Sequence, residues 1–164
     1  MDDRARIDLL DANLGRQLHW IAAADTKAGF AFTFSTALLG VLAASVPKDP
    51  SAWGVAPAIF ASFAAAFTVA ALLFLTFASF PRTEGPARSM VYCGGIAQCN
   101  IDQFRAMMSD VAVDAYCVDL AEQCHRNAQI AANKFAWIQR ALVCLYLAVL
   151  PWALAIWTLY GRRK

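Results

Sequence analysis

The groups in this 164-residue chain that can do chemistry are few: Asp25, Lys27, Arg126, Asn127 and Lys134. Ammonium, guanidinium and primary amide groups donate hydrogen bonds, strengthened by charge, to phosphate or carboxylate oxygens. Lys27, Arg126, Asn127 and Lys134 are therefore candidates for holding a small anion or for coupling its binding to the rest of the chain. Gln123, Asn127 and Lys134 share one side of a helical pattern, flanked by Arg126 and Arg140. Asn13, Gln17, Asp25 and Lys27 occupy the same depth range on an N-terminal helical pattern. The plainer alternative pairs Asp25 with Lys134 or Arg140 at a boundary and leaves the others facing water. Catalysis has less support. The two histidines, His19 and His125, complete no nucleophile–base–acid set, so no enzyme is expected. The five cysteines form no CxxC pair, and Cys124 and His125 would project about 100° apart on a helix. Neither metal nor cofactor is expected.

The elements that position these groups are apolar. Asp25-Thr26-Lys27 abuts 28–46, nineteen residues without an ionisable side chain. Two more charge-free runs cover 51–81 and 141–160. Sixteen per cent of the chain is charged, against about a quarter in soluble domains. The expected fold is an all-α membrane protein with transmembrane helices at 28–46, 52–80 and 141–160. Segment 1–27 and the region 81–140 are expected to be cytosolic and helical, and 161–164 forms a basic tail. Met1-Asp2-Asp3 is acidic and reads as no secretory signal.

The first helix is expected to start near Asp2 and enter the membrane without a break. Its stripe Ile7, Leu10, Leu14, Gln17, Ile21, Ala24 and Ala28 keeps a 3-4 rhythm that needs a helical partner. Pro47–Ser51 reads as a tight turn, Pro81 as a helix stop, and Thr83–Gly95 as a loop or short broken helix. Asn100 with Gln103 signals a helix start, and Ser109-Asp110 a break. From about Asp114 a long helix follows. Its stripe is Cys117, Leu120, Cys124, Ala128, Ala131, Phe135, Ile138 and Leu142, and Pro151 lies inside its span. The first and last helices thus continue from the membrane into a cytosolic helical bundle.

Ten Lys and Arg residues fall in 1–27 and 81–140, against four on the other side, which puts the N-terminus in the cytoplasm. The spans hold no Asp, Glu, Lys, Arg or His, which argues against an ion-coupled transporter. Small residues at spacing four (Ser62, Ala66 and Ala70; Thr36 and Gly40) favour close helix packing and a homo-oligomer. Trp20, Trp53, Trp137, Trp152, Trp157 and Tyr160 mostly fall near span ends and read as interfacial anchors rather than base-stacking platforms, so no nucleic-acid partner is expected.

One ordered set of motifs is more specific. Trp20 and Ala24-Asp25-Thr26-Lys27-Ala28 precede the first span, and Phe80-Pro81-Arg82 follows the second. Tyr92-Cys93-Gly94-Gly95-Ile96-Ala97 comes next, then Asn127, Ile130-Ala131 and Lys134-Phe135 before the last span. Nearly the whole chain resembles the small transmembrane effectors of Pycsar, the bacterial antiphage systems in which a pyrimidine cyclase makes cCMP or cUMP. The resemblance implies an inner-membrane protein that answers a cyclic pyrimidine nucleotide from a neighbouring cyclase by disrupting the bilayer and aborting infection. The chain carries Cys93 where an aromatic residue is expected and lacks a cyclic-nucleotide-binding β-roll, so the resemblance assigns no nucleotide site. The rival class is a structural or adaptor membrane protein whose cytosolic bundle recruits a partner without a ligand.

Overall fold

The computed structural model describes residues 2–47, 54–80, 85 and 89–161. Ninety per cent of these residues are helical, and no strand occurs among them. The order is α1 (Asp3–Ser45), α2 (Val55–Ser79), α3 (Cys93–Gln98), α4 (Ile101–Ser109) and α5 (Val113–Gly161). Helices α1, α2 and α5 are long and apolar enough to cross a membrane. Most of the Pro47–Ser51 turn, Trp53, the stop at Pro81-Arg82, Thr83, Glu84, Pro86 and the basic tail 162–164 lie outside the described residues. The expected starts near Asp2 and Asp114 fall within one residue of those observed.

At α4 the capping signal works as its chemistry requires. Asn100 Oδ1 accepts from Gln103 N at 2.8 Å, and Gln103 Oε1 accepts from Asn100 N at 3.1 Å, so two backbone donors at the helix start are satisfied. The helix ends at Ser109, with Asp110 as its C-cap.

The chain divides into two units. A polar unit comprises Met1–Ala23 and Pro81–Asn133, and an apolar unit comprises Ala24–Phe80 and Lys134–Lys164. Helices α1 and α5 each contribute to both, without an interruption in either helix.

In the polar unit, Cys117, Leu120, Cys124 and Ala131 are buried together with Gln17, Ser89, Asp119, Gln123 and Asn127. Arg6 Nη1 donates to Asp114 Oδ1 at 2.6 Å, and Cys124 Sγ lies 3.6 Å from the Leu10 carbonyl. These contacts set α1 beside α5 in parallel. Asp119 Oδ2 accepts from Met90 N at 2.6 Å, and Ser89 Oγ accepts from Val91 N and Tyr92 N. The segment before α3 is thereby fastened to α5. Gly95 belongs to this arrangement: a Cβ there would stand 2.8 Å from the Ser89 carbonyl oxygen, so only glycine admits that approach.

In the apolar unit the inward faces are mostly small. Helix α1 buries Ala24, Ala28, Ala31, Ser35, Leu38 and Leu42. Helix α2 buries Pro57, Ala61, Ala64, Thr68, Ala71, Leu75 and Ala78, and α5 buries Ile138, Ala141, Leu145, Ala148 and Ala155. Large side chains such as Phe30, Phe34, Phe63, Leu73, Tyr146 and Trp157 face outward. Against lipid tails, an apolar side chain gains nothing from burial as such, so close packing by small residues decides which face turns inward.

That rule corrects one expectation. Along α5, Phe135 and Leu142 are exposed, whereas Asn127 and Ala141 hold the inward positions. On α2 the chain's own helices pack through Ala61, Ala64, Thr68 and Ala71, while Ser62 and Ala66 are exposed and leave the expectation of a homo-oligomer untouched. Trp137 and Trp152 do more than anchor. Trp137 packs against Phe74 and Phe77 with ring centroids 5.8 and 5.4 Å away, and Trp152 Nε1 donates to the Leu38 carbonyl at 3.0 Å.

Candidate functional site

The candidate residues fall into two clusters, one in each unit. In the apolar unit, α1 supplies Asp25 and Lys27, and α5 supplies Lys134, Phe135, Trp137 and Arg140. Lys134 Nζ forms an ion pair with Asp25 Oδ1; the lysine side chain is 12% exposed and the aspartate 49%. Lys27 points elsewhere, with its ammonium 5.6 Å from the Phe135 ring centroid. Arg140 lies over Trp137 at 4.5 Å. Aromatic faces attract cations through the ring quadrupole, so both groups have favourable positions without a carboxylate. Asp25 is the sole acid among the described residues of this unit.

In the polar unit, Asn127 is buried, and its Oδ1 accepts from Gln123 Nε2 at 3.1 Å. Arg126 Nη1 reaches Gln129 Oε1 at 3.5 Å, and Gln129 Nε2 lies 2.9 Å from His125 Nε2. The structure therefore pairs Lys134 with Asp25 and Asn127 with Gln123, and sets Lys27 at Phe135 and Arg126 at Gln129.

Two atoms stand out. Gln17 Oε1 on α1 and Gln123 Oε1 on α5 are buried without a hydrogen-bond partner. A buried acceptor left unmade costs about 1–3 kcal/mol, so an unpaired amide is retained only where something repays it, such as a water or a ligand donor. Sequence reasoning placed both glutamines in its polar set without singling them out. The available signal was Gln17 itself, a polar residue on the inward 3-4 stripe of α1.

The field in this unit is negative at one end. Burial, followed by the charges of Asp11 and Asp119 and by Cys117, raises the Tyr116 phenol above its ordinary value. Burial, reinforced by Asp11, raises the Cys124 thiol likewise. Elsewhere in the unit a cavity of about 570 Å³ is lined by Gly95, Gln98, Cys99, Gln103, Ala106 and Met107, with no ionisable side chain other than the thiol. Among the described residues, no three His, Cys, Asp or Glu side chains come together as metal ligands.

Three membrane-capable helices, two of them shared with a polar helical unit, define a small helical membrane protein. More narrowly, the chain belongs to the Pycsar effector family: the family model of the Pycsar effector protein domain (PycTM) matches residues 9–161. Membership supports a role as an effector of antiphage defence, and the family is not a known enzyme family. No curated protein and no solved structure matches the chain.

Proposed function

We propose that this protein is a cyclic-pyrimidine-nucleotide-gated membrane effector. cCMP or cUMP, made by a neighbouring cyclase, binds the polar unit in the cytoplasm. The apolar unit then disrupts the bacterial inner membrane and infection aborts. The observation that carries the reading is the family match, which runs from residue 9 to 161 and so takes in both units.

The chemistry of the polar unit supports the ligand class. Gln17 Oε1 and Gln123 Oε1 need donors, and a pyrimidine base offers them as the cytosine amino group or the uracil N3–H. Asn127 is held to Gln123 by a hydrogen bond, and Arg126, next to it in sequence, is a cation suited to the cyclic phosphate. Lys27 and Lys134 serve coupling. Because α1 and α5 are each uninterrupted, a shift of either helix in the polar unit is carried along that helix, where Lys134 and Asp25 hold α5 to α1. A near-complete switch needs about 5.5 kcal/mol of differential affinity between two arrangements. That exceeds what a few charge-assisted bonds supply in one chain, so a homo-oligomer sharing the response over several subunits fits better.

Titrating the purified full chain with cCMP, cUMP, cAMP and cGMP by calorimetry tests the reading. Saturable binding of a pyrimidine nucleotide, weakened in Gln17→Leu and Asn127→Leu, is the expected result. Absence of binding by both pyrimidine nucleotides would remove it.

A further inference from the structure

Between α1 and α5 of the apolar unit runs a groove of about 480 Å³, with Lys27, Phe30, Phe34, Leu142, Tyr146 and Val149 on its walls. Its residues recur one helical turn apart on both helices, so it extends along them. From Lys27 to Phe34 it covers about 10 Å at the helical rise. Lys27 is the sole charged group lining it and stands at the end where the charge-free run of α1 begins.

From this shape and charge we infer that the groove is a binding site for one anionic phospholipid, with an acyl chain along the apolar walls and the headgroup phosphate at Lys27. The Lys27 stem lies along apolar surface while its ammonium reaches the headgroup level, as amphipathic lysines do at interfaces. Charge complementarity selects this occupant. Asp25, the sole described acid of the unit, is occupied by Lys134. Lys27 and Arg140 rest on aromatic rings rather than on a carboxylate. A second copy of the chain seated in the groove would bring the same cations and no spare acid among the described residues of its own apolar unit. An anionic headgroup matches Lys27, and a juxtamembrane cation is worth about a fivefold preference for such lipid. The inference is independent of the nucleotide reading, because no nucleotide or polar-unit residue enters it.

Native mass spectrometry of the purified full chain, incubated with phosphatidylglycerol or phosphatidylcholine, tests the site. The wild type should retain one phosphatidylglycerol, about fivefold in preference to phosphatidylcholine. Lys27→Gln should lose that preference and Lys27→Arg keep it. Leu142→Trp, which fills the groove from an already exposed position, should lose retention with Lys27 intact. Equal retention of the two lipids by the wild type, or unchanged phosphatidylglycerol retention in Lys27→Gln and Leu142→Trp, overturns the proposal. So does a wild-type dimer that carries no lipid and dissociates in Leu142→Trp, because the groove would then seat a second copy.

Discussion

Within the polar unit, α1 turns Gln17 inward, and α5 turns Asp119, Gln123 and Asn127 inward; within the apolar unit the same helices bury Ala28, Ala31 and Ser35, and Ala141 and Ala148. Their buried polar atoms differ as well. Ser35 Oγ donates to the Ala31 carbonyl and Thr68 Oγ1 to the Ala64 carbonyl, each at 2.7 Å and each within its own helix. Asp119 instead holds a distant loop, and the Gln17 and Gln123 carbonyls hold nothing. The buried hydroxyls of the apolar unit are satisfied within their own helices, so a shift there has only the Trp152–Leu38 bond and the Lys134–Asp25 pair to break between α1 and α5. A unit with unmade buried bonds responds to whatever makes them. The contrast suits an assignment of recognition to one unit and rearrangement to the other.

The largest effect should come from reversing the packing rule of the apolar unit. Ala71 is fully buried, so Ala71→Phe overpacks the helix contact and is expected to cost about 3 kcal/mol or prevent folding. Leu73→Ala, two residues away on an exposed face, should cost little when unfolding is followed in detergent. Comparable losses would show that both faces are packed. Next is the Lys134–Asp25 pair. Partial exposure limits its worth to about 1–2 kcal/mol, so Lys134→Ala should still fractionate with membranes while losing the ligand-triggered response. Asp25→Ala should leak without ligand, and Lys27→Arg should be milder than either.

In the polar unit a smaller change is expected, with opposite signs in two readouts. Gln17→Leu removes an unsatisfied acceptor and should raise thermal stability by about 1 kcal/mol while weakening nucleotide binding. A stability loss would mean that the amide is already satisfied by water. Smallest is a pH effect at Cys124. Its folded-state value is raised by burial, so the native thiol keeps its proton to higher pH than in the unfolded chain. The associated stability is present at neutral pH and is lost as pH rises through that raised value. Alkylation of Cys124 should therefore lag behind that of exposed Cys93 and speed up only in alkaline buffer.

Much of the fold was legible because charge-free length is a one-dimensional signal. Helix α1 carries 28–45 of the first run, α2 carries 55–79 of the second and α5 carries all of 141–160, and the Asn100–Gln103 box begins α4. Which faces turn inward was less legible. Phe135 and Leu142 look like core residues to any rule that equates apolar with buried, yet lipid removes that driving force and small Ala141 takes the inward place. The pairing of Asp25 with Lys134 spans 109 residues and depends on the parallel setting of α1 against α5, which periodicity alone cannot supply. The orphaned carbonyls of Gln17 and Gln123 were hidden for another reason: sequence shows that a position is polar, not that its partner is missing.

The central claim is that a pyrimidine signal received in the polar unit makes the apolar unit breach the membrane. A potential-sensitive dye in cells making this protein, with an active or an inactivated pyrimidine cyclase beside it, reads that claim directly. The account predicts rapid depolarisation with the active cyclase, none with the inactive one, and none for membrane-inserted Lys134→Ala. A steady potential in cells that contain both the inserted wild-type protein and cCMP or cUMP would contradict it.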